Sequence, residues 1–107
     1  MIDLYDCQHD RLVDPKLLQE FIAKVIPLIG MVAHGPSYID RFGAGDIEGY
    51  SAMQFIETSS ITVHLDEVGN RAFIDIFSCK EFEPRVAEEF SQTFFKAAQS
   101  TVAVFMR

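Results

Sequence analysis

Three consecutive segments, Tyr50–Glu57, Ser59–Asp66 and Arg71–Ser78, are dense in β-branched and aromatic residues. Side chains of this kind suit a pleated, half-buried surface. Val68-Gly69-Asn70 between the second and third reads as a hairpin turn. The first and second segments meet at Ser59 with almost no chain between them. Such a stretch predicts the body of a largely antiparallel sheet, and everything else in the chain has to cover or extend it.

Two helical patterns are available for covering. Asp14 is a good N-cap, Pro15 suits the first helical position, and Leu17, Leu18, Phe21, Ile22, Val25 and Ile26 recur at helical spacing. Pro27 is expected to end or kink this helix, with Gly30 near its terminus. Glu83-Pro84 opens a second helix whose apolar stripe is Val86, Phe90, Phe94, Phe95 and Ala98. Ile2–Cys7, His34–Phe42 and Thr101–Phe105 read as further strands, and Gly43-Ala44-Gly45-Asp46 as a turn or loop. The expected fold class is α+β: a two-layer sandwich with two helices on one face of the sheet, in one domain over residues 1–107.

Charge narrows the function classes. The net charge is −7 and the nine Lys and Arg are scattered, which disfavours nucleic acid as a partner. An acidic surface suits a cationic small-molecule substrate, though ordinary solubility is the simpler account of it. No apolar run is long enough to span a membrane. No leader pattern opens the chain, so a cytoplasmic protein is expected. The two cysteines stand in different contexts, with no CxxC and no His/Asp/Glu metal cluster, so neither a disulfide framework nor a metal is expected.

Four residues form a spacing that carries chemistry. Ser59 is followed by His64 five residues later and by Cys79 twenty residues later, and Ser51 stands eight residues before it. Taken singly, a strand serine, a sheet histidine and a cysteine closing a strand are packing residues. On an ideal strand, alternation places Ser59 and His64 on opposite faces, so a bulge or bend is needed for them to meet.

Taken together, the four resemble the short prokaryotic form of the pyruvoyl-dependent S-adenosylmethionine decarboxylases, and the likeness runs over nearly the whole chain from Leu4-Tyr5-Asp6-Cys7 onward. The resemblance implies self-cleavage between Thr58 and Ser59, with Ser59 becoming a pyruvoyl cofactor that acts as an electron sink. It implies that His64 assists processing by removing the Cα proton, and that Cys79 returns a proton to the decarboxylated substrate carbon. Ser51 is then a supporting serine near the processing site. The resemblance also implies a homodimer whose active sites draw on both protomers, and a place in polyamine (spermidine) synthesis.

This chain departs from the family pattern at several positions. Thr58 stands where the family usually has glutamate, and Ser60 where prokaryotic members usually have histidine. Leu65-Asp66-Glu67-Val68 replaces an aromatic-proline-glutamate segment. The substrate-binding candidates are Phe42, for stacking on adenine, and Glu67, for the ribose hydroxyls. Three readings follow: a decarboxylase of S-adenosylmethionine, the same chemistry on a basic amino acid such as ornithine or arginine, or an unprocessed homologue serving as a binding or partner subunit.

Overall fold

A computed structural model describes residues 1–106. Its elements are β1 (Ile2–Tyr5), α1 (Pro15–Leu28), β2 (Ala33–Phe42), β3 (Gly49–Ile56), β4 (Ser59–Asp66), β5 (Arg71–Ser78), α2 (Pro84–Phe94) and β6 (Gln99–Val102), with short 3-10 turns at His9–Arg11 and Gly45–Ile47. The strands form one six-stranded sheet in the order β2-β3-β4-β5-β1-β6. Every neighbouring pair is antiparallel. The expected α+β sandwich is the observed one.

Alternation decides which face is covered. Ile61, Val63 and Leu65 of β4, Ala72 and Ile74 of β5, and Ile2 and Leu4 of β1 are buried toward the helices. The opposite face carries Tyr38, Met53, Phe55 and Phe77, all exposed. The helices are joined by an aromatic cluster. Phe21 of α1 is fully buried, and its ring lies 5.7, 5.4 and 4.9 Å from those of Phe90, Phe94 and Phe95.

The helix ends follow local chemistry. The Asp14 carboxylate accepts a hydrogen bond from the Lys16 amide at 2.9 Å, capping α1 ahead of Pro15. Pro27 neither ends nor interrupts α1 at its own position. The helix runs on to Leu28 and closes when the Gly30 amide donates to Pro27 O and the Met31 amide to Ile26 O. That Schellman closure needs a left-handed residue, and Gly30 supplies it at φ +75°. Helix α2 closes the same way through Lys96→Thr93 and Ala97→Gln92 backbone bonds, with Lys96 at φ +50°.

Two expected strand boundaries and one apolar stripe are corrected. The first strand stops at Tyr5, before Cys7, because Asp6 turns into the left-handed region at φ +53°. The last strand is Gln99–Val102 rather than Thr101–Phe105. It starts directly after the α2 closure, with the Ala98 amide on Tyr5 O, and after Val102 the Ala103 amide takes Met1 O as its partner on the β1 side. The apolar stripe of α2 is also shifted: Val86 is exposed, Ala87 and Ser91 are buried, and Ala98 lies beyond the helix.

Candidate active site

The sheet register places the chemistry-bearing side chains in two groups. Strands β3 and β4 are joined by the two residues Glu57 and Thr58, so Ser59 faces Ile56 and Ser51 faces His64. The Ser51 hydroxyl and His64 Nδ1 share a hydrogen bond of 2.9 Å. At the other end of β4, Ser59 faces Ser78 of β5, and the next residue, Cys79, brings its Sγ to 3.7 Å from the Ser59 hydroxyl.

The groups do not meet within one chain. Strand β4 pairs residue by residue with both neighbours and has no bulge. Ser59 and His64 therefore lie on opposite faces, about 16 Å apart along the strand. Of the sequence candidates, the structure brings Ser51 to His64 and Ser59 to Cys79.

The Thr58–Ser59 bond sits in an unusually supported turn. Two-residue hairpins generally take positive φ at one or both turn residues. Among the described residues positive φ outside glycine occurs only at Asp6, Asn70 and Lys96, so Glu57 and Thr58 do not use such a turn. Outside contacts hold it instead. The Cys79 amide donates to Thr58 O at 3.1 Å, and the Glu57 amide to Val32 O at 2.9 Å. The Thr58 hydroxyl donates to Met31 Sδ at 3.3 Å and accepts from the Ser78 hydroxyl at 2.9 Å. The sequence reading missed Ser78 and Met31. For Ser78 a signal existed: it precedes Cys79 and lies opposite Ser59 once the β4–β5 turn is centred on Val68-Gly69. For Met31 there was none, since its place depends on how α1 closes.

Beside Ser51 and His64 a groove of about 420 Å³ is lined by residues including Phe42, Asp66, Arg71 and Phe73. The Asp66 carboxylate accepts from the Gly69 amide at 3.0 Å and from Arg71 Nε at 2.8 Å. The Gly69 amide first, and Arg71 in addition, hold its carboxyl below the usual range. Gly49 closes the groove floor: a Cβ there would meet Leu65 O at 2.1 Å, so the strands pack this closely only with glycine.

Phe42 lines this groove, whereas the Glu67 carboxylate is engaged by a neighbouring side chain. The Glu67 carboxylate takes the Arg41 guanidinium at 2.6 Å, and Arg41 also binds Glu48 and covers the Tyr50 ring at 4.6 Å. The cysteines differ in the same way as their settings. Cys7 is buried, and burial first, then the Asp6 charge, pushes its thiol up to about 11, whereas Cys79 is exposed. Among the described residues no group of three or more His, Cys, Asp or Glu could hold a metal. No helix among them is long and apolar enough to cross a membrane.

The Glu57–Thr58 turn, held from outside and beside the exposed thiol of Cys79, thus sits at the edge of a sheet backed by two helices. The family model for S-adenosylmethionine decarboxylase matches residues 1–107. The chain belongs to that family and is a decarboxylase. The fold is similar to that of the adenosylmethionine decarboxylase of Aquifex aeolicus VF5, at a TM-score of 0.75 and 16% identity over 94% of this chain and 80% of that one. Among curated proteins, no sequence matches the chain.

Proposed function

We propose that the protein is a pyruvoyl-dependent decarboxylase of S-adenosylmethionine, working in the cytoplasm in spermidine synthesis and made by its own cleavage between Thr58 and Ser59. The observation that carries this reading is the hold of Cys79 on the scissile turn. Its amide donates to the Thr58 carbonyl oxygen and its Sγ lies against the Ser59 hydroxyl. That oxygen is the one that gains negative charge when Ser59 Oγ attacks the Thr58 carbonyl carbon, so a donor is already in place for it.

The steps balance on this chain's own atoms. Attack by Oγ and rupture of the Thr58–Ser59 C–N bond pass the hydroxyl proton to the freed amine and leave an ester. Removal of the Ser59 Cα proton by a base then breaks the Cβ–Oγ bond, releasing a Thr58 carboxylate and a dehydroalanine end. Water replaces its nitrogen, which leaves as ammonia. Imidazole is suited to the proton removal, and His64 carries it here with Ser51 as its hydrogen-bonded partner.

The residues fit a pyruvoyl group at position 59. The serine is partly exposed at the mouth of a turn, with a thiol as neighbour. When formed, that group supplies an electron sink for the electrons left by carbon dioxide. Cys79 stands where it can return a proton to the substrate carbon. Phe42 offers an aromatic face in the groove, and Glu67 joins the substrate only once Arg41 releases it.

Because His64 and Ser59 cannot meet in one chain, the complete site requires a second copy. The exposed sheet face supplies a surface for it. By register, Tyr38 pairs with Met53, and Phe55 lies across Ser60 from Phe77, making one apolar patch on the face that carries Ser51 and His64. A two-fold pairing of these faces sets the Ser51–His64 group of one protomer at the turn end of the other, toward the Ser59 backbone, while the Ser59 side chain stays on the helix side of its own sheet.

One observation favours the second reading, a free basic amino acid as substrate: the candidate ribose-binding carboxylate, Glu67, is taken by Arg41. Carbon dioxide release assayed side by side on S-adenosylmethionine, ornithine, arginine and lysine separates the two. Release from S-adenosylmethionine alone upholds the proposal, and release from a free basic amino acid alone overturns its substrate. Intact mass tests the cleavage itself, which should give two fragments divided between Thr58 and Ser59.

A further inference from the structure

Four groups beside the scissile bond form a one-way chain of hydrogen bonds. The Lys80 amide can only donate, and it donates to Ser78 Oγ at 3.0 Å. Met31 Sδ can only accept, and it accepts from Thr58 Oγ1 at 3.3 Å. Between these fixed ends the Ser78 hydroxyl has one proton, and the shorter contact gives it to Thr58 Oγ1 at 2.9 Å rather than to Met31 Sδ at 3.7 Å. The sequence Lys80 N–H, Ser78 O–H, Thr58 O–H, Met31 Sδ therefore has a single sense, and each bond polarises the next.

We infer that Ser78 is a positioning residue for self-cleavage, acting through Thr58. This inference rests on the proposed cleavage at Thr58–Ser59. Glu57 and Thr58 do not form a turn whose own twist suits a two-residue hairpin, so the turn keeps its shape only while something holds Thr58. The Cys79 amide holds the carbonyl, and the Ser78 hydroxyl holds the side chain. Together they fix Thr58 on both sides of its Cα, leaving its carbonyl carbon presented to the Ser59 hydroxyl. Met31 anchors the far end of the chain. It is 5% exposed and its own place is set by the Schellman closure of α1 through the Met31→Ile26 bond. The end of the first helix is thereby tied to the bond that breaks. The threonine at position 58 fits this device, because a β-hydroxyl one bond from the backbone both accepts from Ser78 and donates to Met31.

The test follows cleavage by intact mass over time in freshly made full-length chain. Wild type, Ser78→Ala, Ser78→Thr and Thr58→Val are compared, with Tm measured for each. Ser78→Ala is expected to slow cleavage tenfold or more. Ser78→Thr, which keeps the hydroxyl, is expected to restore most of the rate. Thr58→Val removes the same bond from the other side, together with the bond to Met31 Sδ, at nearly constant volume, so it is expected to slow cleavage at least as much as Ser78→Ala and keeps the test decisive should Ser78→Ala fail to fold. A wild type that cleaves while Thr58→Val, or a folded Ser78→Ala, keeps its rate overturns the inference alone. A wild type that stays whole sinks the cleavage reading and this inference with it. Failure of Ser78→Thr to rescue a slow Ser78→Ala also overturns it, since the effect then follows volume and not the hydroxyl.

Discussion

Ser51 and His64 face each other across the β3–β4 pair and share a 2.9 Å hydrogen bond, while Ser59, on the same strand as His64, lies on the other face of the sheet. The unbroken register of β4 makes this separation a property of the fold, since a side chain changes face only through a bulge or a one-residue slip. On the proposed function, one protomer holds two half-sites.

Mixing defective chains should reveal this directly. A His64→Ala chain keeps Ser59 and Cys79, and a Ser59→Ala chain keeps Ser51 and His64. Each alone is expected to stay whole. Co-expressed, roughly half of the His64→Ala chains should sit opposite a Ser59→Ala partner and cleave, for random two-fold pairing. Intact mass reads the result. No cleavage in the mixture, with light scattering confirming dimers, would place the whole site within one chain.

The residues show which parts of this arrangement the sequence could reveal. The hairpins were legible because strand periodicity and the turn at Val68-Gly69-Asn70 leave little freedom in register. With Glu57 and Thr58 as the whole turn, the opposition of Ser51 to His64 follows by counting. The last strand was misplaced because its apolar pattern, Val102 to Phe105, outruns the pairing that β1 gives it. The engagement of Glu67 by Arg41 was not legible, since those residues are 26 apart and meet only through the β2–β3–β4 packing. The Lys80–Ser78–Thr58–Met31 chain was hidden for the same reason. It joins a helix end to two separate turns.

The two thiols should behave as different chemical species. Cys79 is exposed and should label with one equivalent of a thiol reagent in native protein, while buried Cys7 labels only on unfolding. The folded thiol of Cys7 is raised to about 11, so its contribution to stability is whole below the ordinary thiol range and is lost as pH rises through about 11. Urea midpoints should therefore fall between about pH 9 and 11, and a Cys7→Ala chain should show a shallower fall. Two fast equivalents in native protein would contradict the burial of Cys7.

Phe21 is the side chain through which the helices hold each other. It is fully buried against Phe90, Phe94 and Phe95. Truncation to alanine loses transfer energy and leaves a cavity, costing about 3–5 kcal/mol. In a domain of this size that is a large share of total stability. Chemical denaturation of Phe21→Ala should show a much lower midpoint or a chain already unfolded. A shift below about 1 kcal/mol would mean that α1 and α2 repack without it.

Glu67 separates two roles that predict opposite measurements. In the structure its carboxylate belongs to Arg41, which also binds Glu48 and lies over Tyr50. A partly exposed pair of this kind contributes modestly, so Glu67→Gln should lower Tm by no more than a few degrees. Arg41→Met should do about the same, and the double variant should lose less than the sum, because both changes break one interaction. Cleavage between Thr58 and Ser59 should slow less in Glu67→Gln than substrate binding weakens, since the Glu67 carboxylate bonds Arg41 and not the Ser51–His64 pair. If Glu67 only braces Arg41, KM for S-adenosylmethionine should stay within about threefold of wild type. If Arg41 yields Glu67 to the ribose when substrate enters, KM should rise tenfold or more, as expected when a buried polar partner is removed. Arg41→Met should then lower KM by freeing the carboxylate. The direction of the Arg41→Met change therefore decides between the two roles, because bracing alone gives no reason for tighter binding.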